Sequence, residues 1–244
     1  MTDVPLVLAK PDYIKMRISL LWGLQGKGMT LALTAMLFAE DYSRGNTRKD
    51  GITPEFEHQV RQALFALLLK DISDIKLELL ICVTLLHDVM EDYDVELQTL
   101  VNLLDGAALQ NPKYAGLGSL GAIVAASVWA MTKTYKGKKK SPDSVFADIA
   151  NDELASLAKG LDRMNNFQTM VGTFNLPKRI SYVQEGLKYF LPMLKAARRK
   201  FVHHTYAYLN IETVIKYQIE LLQVINDQAY LEDINSVHLQ GAKP

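Results

Sequence analysis

Residues 77–90 read LELLICVTLLHDVM, an apolar run too long for an ordinary β-strand and too short to cross a membrane. A run of that length fits a helix buried on most of its circumference. The segments around it carry apolar residues at the same helical interval: Met29 to Tyr42, Phe56 to Leu69, Glu96 to Leu104, Leu117 to Met131, Ser144 to Met170 and Pro177 to His203. Alternating strand patterns are nearly absent, and no internal repeat is visible. Breakers fall between the runs, at Gly45 to Pro54, Asn111-Pro112, Gly137 to Pro142 and Gly172 to Pro177. Asp143 or Ser144 is the expected cap of the helix that begins near Val145. The pattern predicts an all-α bundle of about eight to ten helices. A further helix over Glu212 to Ala229 offers an apolar face that fits either the core or a second subunit, and the tail from Asp233 onward is polar.

At 244 residues the chain suits one large domain, alone or with an appended segment. Acidic and basic residues balance at 27 each, which argues against DNA as a partner. The single cysteine, Cys82, excludes an intramolecular disulfide and fits a reducing compartment. Met1 to Asp12 has no basic start followed by an apolar core, and no stretch reaches the ~18 apolar residues of a membrane span. The expectation is a soluble, cytoplasmic protein.

The chemistry concentrates where residues 77–90 end. His87 and Asp88 are followed by Glu91 and Asp92, one helical turn on. Three carboxylates this close repel one another unless a cation sits among them. Nitrogen and oxygen donors suit a divalent ion such as manganese, iron or zinc. His58 lies upstream, ahead of the run Ala63 to Leu69, and Asp162 lies downstream in Leu161-Asp162-Arg163-Met164-Asn165-Asn166.

The order His, His-Asp, Asp on successive helical segments resembles the HD hydrolase superfamily. Within it, Leu86 to Asp92 resembles the hydrolase domain of the RelA/SpoT family and the small alarmone hydrolases, which remove the 3′-pyrophosphate from guanosine tetra- and pentaphosphate. Arg48-Lys49-Asp50-Gly51 and Pro54 resemble that family's Arg-Lys-x-Gly-x-Pro segment. Ala130 to Lys133 resembles its Gly-Val-Thr-Lys, and Asp162 to Asn166 its Asp-Arg-Leu-His-Asn, with Thr169 following in place. Arg179-Ile180-Ser181 and Pro192 resemble the helix after that. The likeness covers about residues 30 to 200. Four departures stand out: Gln59 where the family has Pro, one extra residue between Gly51 and Pro54, Glu55-Phe56 after the Gly-x-Pro segment, and Asn165 where it has a non-ligating His. They bear on the nucleoside pocket more than on the metal.

The resemblance implies a domain plan: an N-terminal extension over 1–29 packed on the core, an HD hydrolase domain over 30–205 around a metal site, and a C-terminal helix and polar tail over 206–244. It implies one divalent metal, manganese first and iron, cobalt or zinc as alternates, held by His58, His87, Asp88 and Asp162. Glu91 and Asp92 become the catalytic pair that handles the attacking water. Arg48, Lys49, Lys133, Asn166 and Thr169 become the substrate-binding residues, with Arg48 against the purine. The implied substrate is a purine nucleotide carrying a 3′-pyrophosphate, and the activity is that of a stand-alone pyrophosphohydrolase paired functionally with an alarmone synthetase. Guanine or adenine, a free nucleotide or an RNA 3′ end, and monomer or homo-oligomer remain open. The alternatives are a nucleotidase or phosphatase of the same type and a catalytically silent, antitoxin-like binding protein.

Three other features carry less. Lys136 and Lys138 to Lys140 surround Gly137 in what reads as a flexible loop, equally suited to drawing in phosphates and to plain solvation. His203-His204 reads as a helix-surface pair without a nearby carboxylate. Gly23 to Gly28 lacks the spacing of a phosphate-binding loop.

Overall fold

The computed structural model describes residues 12–241, with side chains described through 228. The chain is all-α: α1 (Tyr13–Gly26), α2 (Thr30–Tyr42), α3 (Glu57–Leu67), α4 (Asp74–Leu86), α5 (Val89–Tyr93), α6 (Leu97–Leu109), α7 (Leu120–Met131), α8 (Pro142–Asn151), α9 (Glu153–Thr169), α10 (Leu176–Glu185), α11 (Leu191–Lys200) and α12 (Thr205–Gly241). The absence of a signal peptide expected at residues 1–12 concerns a segment almost wholly outside the described residues. Among the described residues, no helix is long and apolar enough to cross a membrane.

α4 and α9 form the centre. Every residue of α4 from Leu77 to Leu86 is buried, which its near-continuous apolar sequence requires. α4 contacts α2, α3, α7 and α9, and α9 contacts α3, α4, α7, α8, α11 and α12. Each large aliphatic side chain buried this way contributes roughly 1.5–3 kcal/mol. Glu78, the one acid within the buried part of α4, is held by the Leu31 N–H, the Tyr114 hydroxyl and the Lys113 ammonium. It thereby satisfies a free N–H at the start of α2. Gly160 lets α12 approach α9 closely, because a Cβ there would meet Ile211 at 2.9 Å.

The boundaries differ from the sequence reading in four places. The Ser144 to Met170 run divides into α8 and α9 at Asp152, whose carboxylate caps α9 by accepting from Ala155 N. Ser141, rather than Asp143 or Ser144, caps α8, accepting from Ser144 N. The lysine loop is ordered as an antiparallel hairpin of β1 (Thr134–Tyr135) and β2 (Lys138–Lys139), turning through Lys136 and Gly137 at positive φ. α12 begins at Thr205 and continues to Gly241, through the segment read as a polar tail.

Candidate metal centre and cavity

α4 ends at Leu86, and His87 and Asp88 form the joint between α4 and α5. Asp92 N still bonds to Asp88 O at 2.8 Å, so the acids of α5 remain one turn beyond the pair. The joint faces His58 on α3 and Asp162 on α9. Ligand atoms of His58, His87 and Asp88 lie within 4.8 Å of one another. Asp162 Oδ1 is 3.0 Å from His58 Nε2 and 3.8 Å from His87 Nε2, and Asp88 Oδ1 is 3.1 Å from His87 Nε2. Residues from sequence positions 58 to 162 thus gather two imidazoles and two carboxylates, with His58, His87 and Asp88 as one close group and Asp162 against both imidazoles. Both histidines and Asp162 are buried, and Asp88 is half-buried.

The imidazoles are oriented for that task. His87 Nδ1 lies 2.8 Å from Thr84 O, an acceptor only, so Nδ1 carries a proton and Nε2 is the atom turned to the cluster. His58 Nδ1 is bonded to the Asn165 amide. Exchanging the similarly shaped oxygen and nitrogen of that amide gives Asn165 Oδ1, otherwise without a partner, a proton to accept from Nδ1. His58 Nε2 then faces the cluster as well. The buried amides of Gln59 and Gln62 close the ring: Gln59 donates to Asp88 Oδ2 at 2.8 Å, and Gln62 Nε2 lies 2.5 Å from His58 Nε2. The amide oxygens of both have no partner among the described residues.

The charges of the cluster are balanced from within. Burial alone would lower the His87 pKa, but Asp88 and Asp162 outweigh it and raise the imidazole to about 9. Burial likewise opposes ionisation of Asp162, yet Lys159, His58 and His87 hold its carboxyl well below the usual range. Lys159 Nζ lies 2.6 Å from Asp162 Oδ2. A buried proton and a buried ammonium therefore balance the acids, and a divalent ion would replace that balance with direct bonds. The donor set, two neutral imidazoles and two carboxylates, fits a divalent transition ion.

This cluster floors a cavity of about 480 Å³, also lined by Glu91, Asp92, Lys133, Lys159 and Asn166 and by Arg48 and Lys49 of the loop before α3. Desolvation, then the charges of Asp88, Glu55 and Glu91, push the Asp92 carboxyl up to about 6. Glu91 Oε2 accepts from Lys133 N at 2.9 Å, tying α5 to the entry of the hairpin. Lys159, then burial, lower the Lys133 ammonium. Asn166 donates to Asp162 Oδ1 at 2.8 Å and to the Tyr182 hydroxyl at 3.0 Å. Arg163 turns away from the cluster, pairing with Glu185 and lying 4.0 Å over the Tyr182 ring, so it supports the ring that supports Asn166.

A second cavity of about 440 Å³ adjoins the first and shares Arg48, His58 and Thr173 with it. Thr169, grouped with Asn166 in the sequence reading, lines only this second cavity; its hydroxyl bonds back to Asn165 O at 3.1 Å. The expectation that Asn166 and Thr169 face one cavity is not met: Asn166 lines the first, and Thr169 lines the second beside Arg48 and His58. Gln59, Gln62 and Lys159 were missed as members of the site. Only Lys159 had a local signal, its place one turn before Asp162.

Comparison with family models gives no match for this chain, and comparison with curated proteins gives none either.

Proposed function

We propose that the protein is a metal-dependent phosphohydrolase of the HD type, removing the 3′-pyrophosphate from guanosine tetra- and pentaphosphate or a close purine relative. One observation carries the reading: two imidazoles and two carboxylates converge in one cavity with an acid pair beside them and four cations around them. A divalent ion held by His58, His87, Asp88 and Asp162, manganese in the first instance, supplies a water of lowered pKa and polarises phosphate oxygens.

The chain's own groups do the rest. Asp92, with a pKa of about 6, is ionised at neutral pH and takes the proton of the attacking water. Glu91, fixed by the Lys133 N–H, orients that water. The water oxygen bonds to the phosphorus next to the ribose, and the electron pair of the broken P–O bond leaves on the 3′-oxygen, which takes up the proton that Asp92 accepted. Lys133 and Lys159 set positive charge against the pyrophosphate group under attack. The Arg48 side chain makes no hydrogen bond or ion pair among the described residues, which leaves its flat guanidinium free to stack on a purine.

Incubation of guanosine tetraphosphate with the protein and manganese, followed by phosphorus NMR, tests the reading. Free pyrophosphate with a 5′-diphosphate is expected. Orthophosphate as the first product would favour a nucleotidase. No product from any purine nucleotide would favour the silent binding protein.

A further inference from the structure

His203 and His204 lie in the 3₁₀ turn Val202–His204 that joins α11 to α12, and not on a helix surface. The fold brings Glu153, the first residue of α9, against both. Glu153 Oε1 is 2.7 Å from His203 Nε2 and 2.5 Å from His204 Nε2, and one ligand atom from each of the three residues lies within 4.8 Å of the others. The carboxylate that the local sequence did not offer comes from fifty residues upstream.

We propose that Glu153, His203 and His204 form a second metal site, selective for a borderline transition ion such as zinc, that pins the start of α12 to the N-terminus of α9. His204 is 3% exposed, and its Nε2 is set against Glu153 Oε1 with no other partner among the described residues. An imidazole nitrogen this close to a carboxylate oxygen needs a proton or a cation between the two. Lys76 Nζ already places a positive charge at the junction, 2.7 Å from Glu153 Oε1 and 3.2 Å from His203 Nε2. Its side chain is 40% exposed, so it can swing into solvent when an ion takes its place. Two imidazoles and one carboxylate match the three-ligand sets of zinc sites that keep one position for water. Metal–ligand bonds of ~2.0–2.1 Å set tetrahedral ligand atoms about 3.3 Å apart, so each imidazole needs to part from Glu153 by less than ~1 Å. Half-exposed His203 on a short turn allows that movement.

The site is separate from the first. Glu153 and Asp162 are nine residues apart on α9, or roughly 13 Å along its axis. The proposal therefore stands whatever the first cluster does.

The test is zinc stoichiometry by equilibrium dialysis and elemental analysis on the full-length, metal-stripped protein, with histidine Hε1 resonances followed by NMR. His203→Ala/His204→Ala and Glu153→Gln should each lose one equivalent that His87→Ala retains, and Lys76→Met should bind that equivalent more tightly. Zinc should shift both the His203 and the His204 resonance in the wild type. If the double histidine variant fails to fold, Glu153→Gln, which keeps the side chain's shape, decides. Unchanged stoichiometry in that variant, or histidine resonances unmoved by zinc, would overturn the proposal.

Discussion

The two walls of the cavity are built differently. One is helical: His58 on α3, the His87-Asp88 joint, Glu91 and Asp92 on α5, and Asp162 on α9, with each imidazole aligned by a hydrogen bond from behind. The other is made of turns. Arg48 and Lys49 sit in the loop that Asp50 closes by accepting from Ile52 N and Thr53 N. Facing them is Phe174, with Lys49 5.2 Å and Lys178 4.1 Å from its ring centroid. Packed helices hold reacting groups to within fractions of an ångström, whereas loops adapt to the shape of what they bind. Changes in the helical wall should therefore strike turnover, and changes in the loop wall should strike affinity.

The largest expected effect is His87→Ala or Asp88→Ala. Either should abolish metal-dependent hydrolysis while circular dichroism shows helical content retained, since the core does not depend on one ion. Near wild-type turnover in either variant would end the division between the walls. The metal-free wild type offers a second reading of the same cluster. The His87 pKa is raised from 6.5 to about 9 in the folded state, so the stability it contributes is complete below pH 6.5 and lost as pH climbs through 9. Thermal melts of the stripped protein should fall across that window, by at most about 3 kcal/mol of stability. His87→Ala should remove the slope.

Asp92→Asn comes next, with a loss of roughly 10²–10⁴-fold in kcat and metal content unchanged. Asp92 must be ionised to accept a proton, so wild-type kcat should fall on the acid side of about pH 6, or lower once a bound cation stabilises the carboxylate. The profile of Asp92→Asn should lose that limb. Metal loss in parallel with activity would instead make Asp92 a support for the ligands.

The helical wall was also the more readable one. Apolar spacing located α3, α4 and α9, and the period of 3.6 put the acids of α5 one turn beyond His87-Asp88. What escaped were contacts between residues distant in sequence. Gln59 reaches Asp88 across 29 positions, and Asn165 reaches His58 across 107. Thr169 shows the limit of helical periodicity at a helix end: it closes α9 just before the 3₁₀ turn Met170–Gly172 and lines the neighbouring cavity. Glu153 was invisible to His203 and His204 for the same reason as Asn165: only the packing of α9 against the elements around it reveals the pair.

Asn165 gives a subtler probe of the helical wall. It is buried and bonded to His58 Nδ1. Asn165→Leu keeps the volume but leaves that nitrogen without a partner, freeing the ring to adopt the wrong tautomer. Metal affinity by competition with a fluorescent chelator should drop ~10- to 100-fold, with kcat at saturating metal recovering most of its value. An unchanged affinity would mean that packing alone, and not the hydrogen bond, orients His58.

Arg48→Ala should have the smallest effect and says most about the loop wall. The guanidinium lies between the two cavities, pairs with no acid among the described residues, and belongs to a loop whose shape is fixed by the Thr47–Pro54 bridge and by Asp50 rather than by Arg48 itself. Removing it should leave the loop, the metal content and the acid pair intact. Stacking and cation–π contact with a base amount to about 0.5–2 kcal/mol, so KM should rise ~3- to 30-fold while kcat changes little. Arg48→Lys should not restore KM, because a compact ammonium has no flat face to lay on a ring. Steady-state kinetics on guanosine tetraphosphate separate the two parameters. A fall in kcat with KM unchanged would show that the loop wall shapes the reacting centre, and the contrast between the two walls would collapse.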